Sequence, residues 1–285
     1  MSEFVEKIKA HGNNIAWWHT IFDLPFAFMG ALLATHGNPE PIVLFWIAMA
    51  VSTGRAAAMA IDNLADLEFD KKQDRLSYRA MVSGKISKSE AKIFIGIMFL
   101  AMIFSVAQLP PICMKLLPIA AIPFVIYPFT KRFTGLCHFF LGFAISMSPA
   151  GGYIAAGGSI DLPMILLCSA VALWIGTFDA MYGAQDEEFD RSQNLHSLAV
   201  SLGGKRAFQI SKYLHSFTIL IFIALGVLEN LSSIYFVGVG IATLVLIYQH
   251  RIISYNDFSN LNPSYFLRNG IVSTVIVLCT FLSYA

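Results

Sequence analysis

The sequence predicts an all-α, polytopic membrane protein, with nine transmembrane helices around a central cavity and an internal duplication. Three observations predict it. The 285 residues are 56% hydrophobic and 13% charged, with 24 Phe and a mean hydropathy of +0.65, which is too apolar for a soluble chain of this length. Apolar windows of about 20 residues recur along the chain. Lys and Arg gather in alternate connections, as the bias toward a positively charged inner face requires.

The windows fall at 15–35, 41–61, 92–109, 111–128, 136–156, 162–182, 208–228, 232–250 and 268–284. With the N-terminus inside, the inner segments hold Lys7, Lys9, the cluster from Lys71 to Lys92, Lys131, Arg132, Arg191, Lys205, Arg206, Lys212, Arg251 and Arg268. Arg55 lies in the inner half of the second window, and of the 19 Lys and Arg only Lys115 falls outside. One miscounted span near the middle would break that asymmetry. The outer connections HGNPEP, LPP, GGSID and LENLSS are short and turn-like. The inner connections at about 63–90 and 183–206 are long and polar, and loops of that length without their own domain tend to carry function.

The whole chain, 1–285, reads as one integral membrane domain. Its start, MSEFVEKIKAHGNN, is a polar amphipathic lead-in rather than a cleavable signal. A net charge of +1 offers no basic excess for nucleic acid. The four cysteines lack ligand spacing and read as small hydrophobes, and the seven histidines are scattered with no pair at zinc-ligand spacing.

The two inner connections resemble each other. DLEFDKKQ from Asp66 aligns with DEEFDRSQ from Asp186, an offset of 120 residues, and a Gly-Lys pair follows each (Gly84-Lys85, Gly204-Lys205). A duplication of this kind brings both segments to the mouth of one cavity.

The first segment places Asp62, Asp66 and Asp70 at i, i+4 and i+8, one face if the preceding helix continues. Like charges at that spacing repel, so the row implies a compensating cation. Asp179, Tyr182, Asp186 and Asp190 share a face in the second segment. Carboxylates converging from two loops suit a hard ion, and Mg²⁺ in particular leaves positions for phosphate oxygens. Arg75, Arg79, Lys85, Lys131, Arg132, Arg191 and Lys205 lie among the acids. Each also serves the topology bias, but together they suit a metal-bound diphosphate. Phe22, Phe26, Tyr127, Phe129, Phe139, Phe143 and Tyr182 are candidates for an aromatic cavity wall. Together these parts suggest prenyl transfer: a diphosphate ester ionises, and aromatic faces shelter the carbocation until a nucleophile captures it.

On these residues the chain resembles the UbiA superfamily of intramembrane aromatic prenyltransferases over nearly its whole length. Asp62-Asn63-x-x-Asp66-x-x-x-Asp70 looks like the family's first motif, Asn-Asp-x-x-Asp-x-x-x-Asp, and Arg75 and Arg79 fall in the stretch that follows it. Asp179-x-x-Tyr182-x-x-x-Asp186-x-x-x-Asp190 looks like the second motif, and Tyr127-x-x-x-Lys131 like the Tyr/Lys pair that faces diphosphate. HTIFDLPFAFMGALLA, YPFTKRFTGLCHFFLG and YGAQDEEFDRSQNLHSLAVSLG are similar to the 4-hydroxybenzoate polyprenyltransferase branch, including members of futalosine-route menaquinone synthesis. His196-Ser197 also fits that branch, whereas the order Asp62-Asn63 inverts the family pattern and Leu76 and Ala80 replace its Thr and Pro.

The resemblance implies Mg²⁺ held by Asp62, Asn63, Asp66, Asp70, Asp186 and Asp190, with Asp66, Asp70, Asp186 and Asp190 catalytic. It implies a diphosphate faced by Arg75, Arg79, Tyr127, Lys131 and Arg191, and a prenyl or aromatic group near Phe22, Phe26 and Tyr182. The partners expected are a polyprenyl diphosphate, an aromatic acid acceptor and the lipid bilayer. Arg55 or Arg132 is the expected cation for the acceptor carboxylate, and Asp179 the carboxylate that takes the ring proton. The expected setting is a bacterial inner membrane, with the N-terminus and polar loops cytoplasmic. The alternatives are the same fold with homogentisate, haem, chlorophyllide or a glycerol-based lipid as acceptor, and a transporter, which would carry its acids at the midplane of broken spans.

Overall fold

The computed structural model describes residues 3–261 and 263–285. Among the described residues it is helical, with one isolated bridge between Ser254 and Asp257 in place of any sheet. In chain order the helices are α1 (Glu3–Asn14), α2 (Leu24–Ala34), α3 (Pro41–Ala65), α4 (Leu67–Asp70), α5 (Lys88–Val106), α6 (Pro111–Thr130), α7 (Cys137–Ala155), α8 (Leu162–Gly183), α9 (Glu187–Ser192), α10 (Leu198–Leu202), α11 (Gly204–Leu228), α12 (Ser233–Ile252) and α13 (Pro263–Tyr284). Short 3-10 turns occupy Trp17–Phe22, Asp74–Leu76 and Ala184–Asp186.

Local chemistry sets the helix starts. Ser87 opens α5 with a reciprocal cap: its Oγ accepts from Glu90 N at 3.2 Å, and its own N–H donates to Glu90 Oε2 at 2.7 Å. Asp161 caps α8 by accepting from Met164 N at 3.2 Å. Proline stands in the first turn of α2, α3, α6 and α8, where its missing N–H costs nothing. Gly84 and Gly203 take φ +76° and +82° in the connections that lead into α5 and α11. The second of these conformational glycines is thus one residue earlier than Gly204, which lies 120 residues after Gly84.

Among the described residues, seven helices are long and apolar enough to cross a membrane: α3, α5, α6, α8 with its continuation into α9, α11, α12 and α13. The windows at 15–35 and 136–156 fall on the turn Trp17–Phe22 with α2, and on α7. α2 has 11 residues, about 16 Å of helix, and cannot span alone. α7 packs mostly against other helices, with Gly142, Ala144, Ser146, Ser148 and Gly152 buried. Cβ atoms at Gly142 and Gly152 would strike the carbonyl oxygens of Ala172 and Ala27, so glycine is what lets α7 close on α8 and α2.

The core lies among α2, α7, α8, α11, α12 and α13, with Phe26, Trp174, Phe222 and Tyr235 fully buried. α5 and α6 instead turn Ile93, Ile97, Leu100, Ile119, Ile122 and Val125 outward. An apolar surface of this extent is solvated by lipid rather than water.

Candidate functional site

A cavity of about 1560 Å³ opens at the bundle end where α3 and α8 finish. The first polar segment enters it as a bent row. α3 stops at Ala65, Asp66 takes φ −93° and ψ 0°, and the helix resumes as α4. The bonds Asp66 N–H to Asp62 O and Asp70 N–H to Asp66 O, both 2.9 Å, keep the four-residue spacing through the bend. Asp62, Asn63, Asp66 and Asp70 therefore all line the cavity, as do Asp179, Tyr182 and Asp186 from α8 and the turn after it. Arg55, Arg75, Arg79, Tyr127, Lys131 and Phe22 complete the set of expected residues found there.

Basic groups clasp four of the carboxylates. Arg75 donates to both oxygens of Asp186, and Arg79 Nη1 to Asp70 Oδ2 at 2.6 Å. Lys131 Nζ stands 2.8 Å from Asp190, and Arg132 Nη2 is 3.2 Å from Asp66. Burial raises the Asp66 carboxyl above its ordinary range, with Lys131 and Arg132 pulling the other way. Burial alone would lower the Lys131 ammonium, but Asp190, with Asp186 and Asp66, outweighs it and the pKa stands above the usual lysine value.

Among the described residues no three His, Cys, Asp or Glu side chains form a ready metal cage. The donor set does fit an ion that takes a few carboxylate oxygens and fills its shell with phosphate and water, which is the habit of Mg²⁺.

Four expected residues stand elsewhere. Phe26 is packed in the core against Trp174 and Phe222. Arg132 binds the carbonyls of Pro128 and Ala65, at 2.9 and 2.8 Å, and so ties the end of α6 to the end of α3. Asp190 is fully buried behind Lys131, and Arg191 pairs with Glu187 on the outside of α9 at 3.0 Å. Asn63 lines the cavity, but its amide donates to Asn14 O at 2.6 Å and anchors the end of α1. Of the other proposed wall aromatics, Phe129 and Phe143 are exposed.

Several lining residues lie outside the sequence expectation. Phe124, Phe178 and Phe266 join Phe22 and Tyr182 on the aromatic wall. Asp23 is buried 3.4 Å from Arg55, whose Nη1 also donates to Ile15 O at 3.1 Å. His138, in the first turn of α7, lies 2.7 Å from Asp179. Its signal in the sequence is its place one residue into a span at the polar end, seven residues after Lys131.

With this geometry in hand, the likeness to known proteins is specific. The UbiA prenyltransferase family pattern matches residues 24–271. The 4-hydroxybenzoate octaprenyltransferase of Shewanella sediminis (strain HAW-EB3) is 34% identical over 227 residues, covering 79% of this chain and 78% of its own length. That of Vesicomyosocius okutanii subsp. Calyptogena okutanii (strain HA) is 30% identical over 276 residues, covering 95% and 96%. The apo structure of a UbiA homologue from Aeropyrum pernix K1 superposes with a TM-score of 0.83 at 30% identity, over 93% of this chain and 97% of that one. A UbiA homologue from Archaeoglobus fulgidus bound to GPP and Mg²⁺ has a TM-score of 0.68 at 18% identity, over 99% of both chains, and shares the fold. With its family pattern spanning α2 into α13 and both aspartate segments at one cavity, this chain belongs to the UbiA prenyltransferase family.

Proposed function

We propose that this prenyltransferase moves a polyprenyl group from a polyprenyl diphosphate to the ring of an aromatic acid, 4-hydroxybenzoate or a dihydroxynaphthoate, in quinone biosynthesis. The observation that carries this is the joining of two aspartate segments, Arg75, Arg79 and Lys131 to an aromatic wall in one cavity. The 4-hydroxybenzoate octaprenyltransferases at about a third identity support the acceptor class. The acids lie at helix ends and in connections rather than within broken spans, which favours chemistry over transport.

Asp62, Asp66, Asp70 and Asp186 are the residues that would hold Mg²⁺. The ion would supply charge neutralisation for the leaving diphosphate. Arg75, Arg79, Lys131 and the Tyr127 hydroxyl bind and orient that diphosphate, exchanging carboxylate partners for phosphate oxygens. Asp190 acts from behind, by holding Lys131 in place. Phe22, Phe178, Tyr182 and Phe266 shelter the allylic cation and exclude water. Arg55 takes the acceptor carboxylate, and Asp179 receives the proton lost from the ring carbon beside the hydroxyl.

The reading includes nine spans in a single domain. The turn Trp17–Phe22 extends α2, and α7 crosses packed against α2, α6 and α8. It places the polar end in the cytoplasm of a bacterial inner membrane, following the Lys and Arg distribution. Purified protein in Mg²⁺, given labelled prenyl diphosphates and a panel of acceptors, tests the proposal. Transfer to 4-hydroxybenzoate or a dihydroxynaphthoate is expected. Intact Mg²⁺-dependent diphosphate binding with no transfer to any aromatic acid would overturn it.

A further inference from the structure

Each of Asp66, Asp70, Asp186 and Asp190 faces an arginine or lysine, but Asp179 faces a histidine. Asp179 also lies seven residues before Asp186, about 10 Å deeper along the helix. It therefore lies deeper in the cavity than the Arg75–Asp186 pair, toward Asp62 and Tyr127.

The geometry of the pair is constrained. His138 Nδ1 lies 2.7 Å from Asp179 Oδ2, with the His138 side chain 6% exposed and that of Asp179 31% exposed, toward the cavity. His138 Nε2 is buried and has no hydrogen-bond partner among the described residues. Asp179 Oδ2 can only accept, so the ring carries a proton on Nδ1 and donates it to Asp179. Gly183 makes room for this arrangement: a Cβ there would stand 2.8 Å from His138 Cε1.

From this juxtaposition we infer that His138 is a positioning residue for proton removal, fixing Asp179 Oδ2 so that Oδ1 points into the cavity and takes the proton from the acceptor ring. The inference rests on the aromatic-acid reading above. In the reaction the allylic C–O bond breaks and its electron pair leaves with the diphosphate. The ring carbon beside the hydroxyl supplies the pair for the new C–C bond. The proton on that carbon passes to Asp179 Oδ1, and its bonding pair restores the aromatic ring. His138 keeps the second oxygen occupied, which withholds it from competing cations and fixes the carboxylate plane.

The test uses the full chain with 4-hydroxybenzoate carrying either hydrogen or deuterium at the ring carbons beside the hydroxyl. In the unaltered enzyme the two acceptors should react alike, as expected when ionisation is the slow step. In His138→Ala, kcat should fall about a hundredfold with KM for both substrates nearly unchanged, the scale of a positioned acid–base group. A primary isotope effect should appear in the same variant, because proton loss has become slow. His138→Gln, which can still donate to Asp179, should recover much of the rate and lose the isotope effect. If His138→Ala fails to bind prenyl diphosphate, Gly183→Ala carries the test by the same criteria, since it displaces the ring without removing it. A slow variant without an isotope effect, or a variant with full activity, overturns the inference. Failure of the unaltered enzyme to prenylate any aromatic acid would instead overturn the reading on which it rests.

Discussion

Arg75 and Asp186 form an ion pair between the two polar segments, one guanidinium nitrogen donating to both carboxylate oxygens across 111 residues of sequence. On the rim Lys72 Nζ repeats the link, donating to Gln193 Oε1 at 2.6 Å. The two polar segments are thus joined through the groups that the substrate would address. Arg75→Ala should raise KM for prenyl diphosphate about tenfold, the scale of one charge-assisted hydrogen bond at a partly open site. Arg75→Lys should restore only part of this, since an ammonium lacks the planar fork. Steady-state kinetics with varied prenyl diphosphate would measure both.

Asp66 and Asp186 come from different segments, and the proposed metal site needs both. Asp66→Ala and Asp186→Ala should each lower turnover by about a hundredfold or more. The double variant should be little worse than the poorer single one, because groups acting as a unit lose their effect together. Full activity in either single variant would disprove a shared site.

His11 provides a pH dependence outside the spans. Its ring stacks on Phe94 with centroids 4.8 Å apart, and it lies near the Lys7–Glu90 ion pair. Burial lowers its pKa, Glu90 opposes this, and Lys7 adds to it. The folded ring binds its proton less readily than the unfolded one. The stability this lends is therefore present above the ordinary value of 6.5 and lost as pH falls from there toward the lowered one. The hydrogen-exchange protection of α1, taken relative to the intrinsic rate at each pH, should fall on acidification, and His11→Phe should remove that dependence.

Much of this was legible because it depends on local spacing. Each apolar window holds a helical segment, and the four-residue period of the aspartates survives the bend at Asp66. What periodicity does not carry is which neighbour a helix face meets. Phe26 was expected in the cavity wall and lies in the core, while Phe178 and Phe266 line the cavity instead. Asp23–Arg55 and His138–Asp179 join residues far apart in sequence, so no local pattern announces them. Arg132 has the composition of a substrate ligand, but two carbonyls at helix ends claim its donors.

Gly152 separates packing from chemistry. A Cβ there would meet the backbone of Ala27, where no flexible side chain can yield, whereas at Gly151 it would meet open space. Gly152→Ala should force α2 and α7 apart and cost about 1–3 kcal/mol, the usual penalty for overpacking. Gly151→Ala should have little effect. Thermal unfolding in detergent compares the two.

Arg55 and Asp23 set the last expectation. Their side chains are 10% and 3% exposed, and the guanidinium is shared between Asp23 and Ile15 O, which leaves donors for an incoming carboxylate. Arg55→Leu should raise KM for 4-hydroxybenzoate at least about tenfold while leaving KM for prenyl diphosphate unchanged. It should matter less for a phenol without the carboxylate, because that acceptor offers the guanidinium nothing to bind. Asp23→Asn removes the resident anion from Arg55, so the acidic acceptor should bind more tightly. Its cost should appear as lower thermal stability, of about 3 kcal/mol, because a buried charge has lost its partner. If Arg55→Leu weakens the acid and the phenol equally, Arg55 shapes the cavity without reading the acceptor's charge.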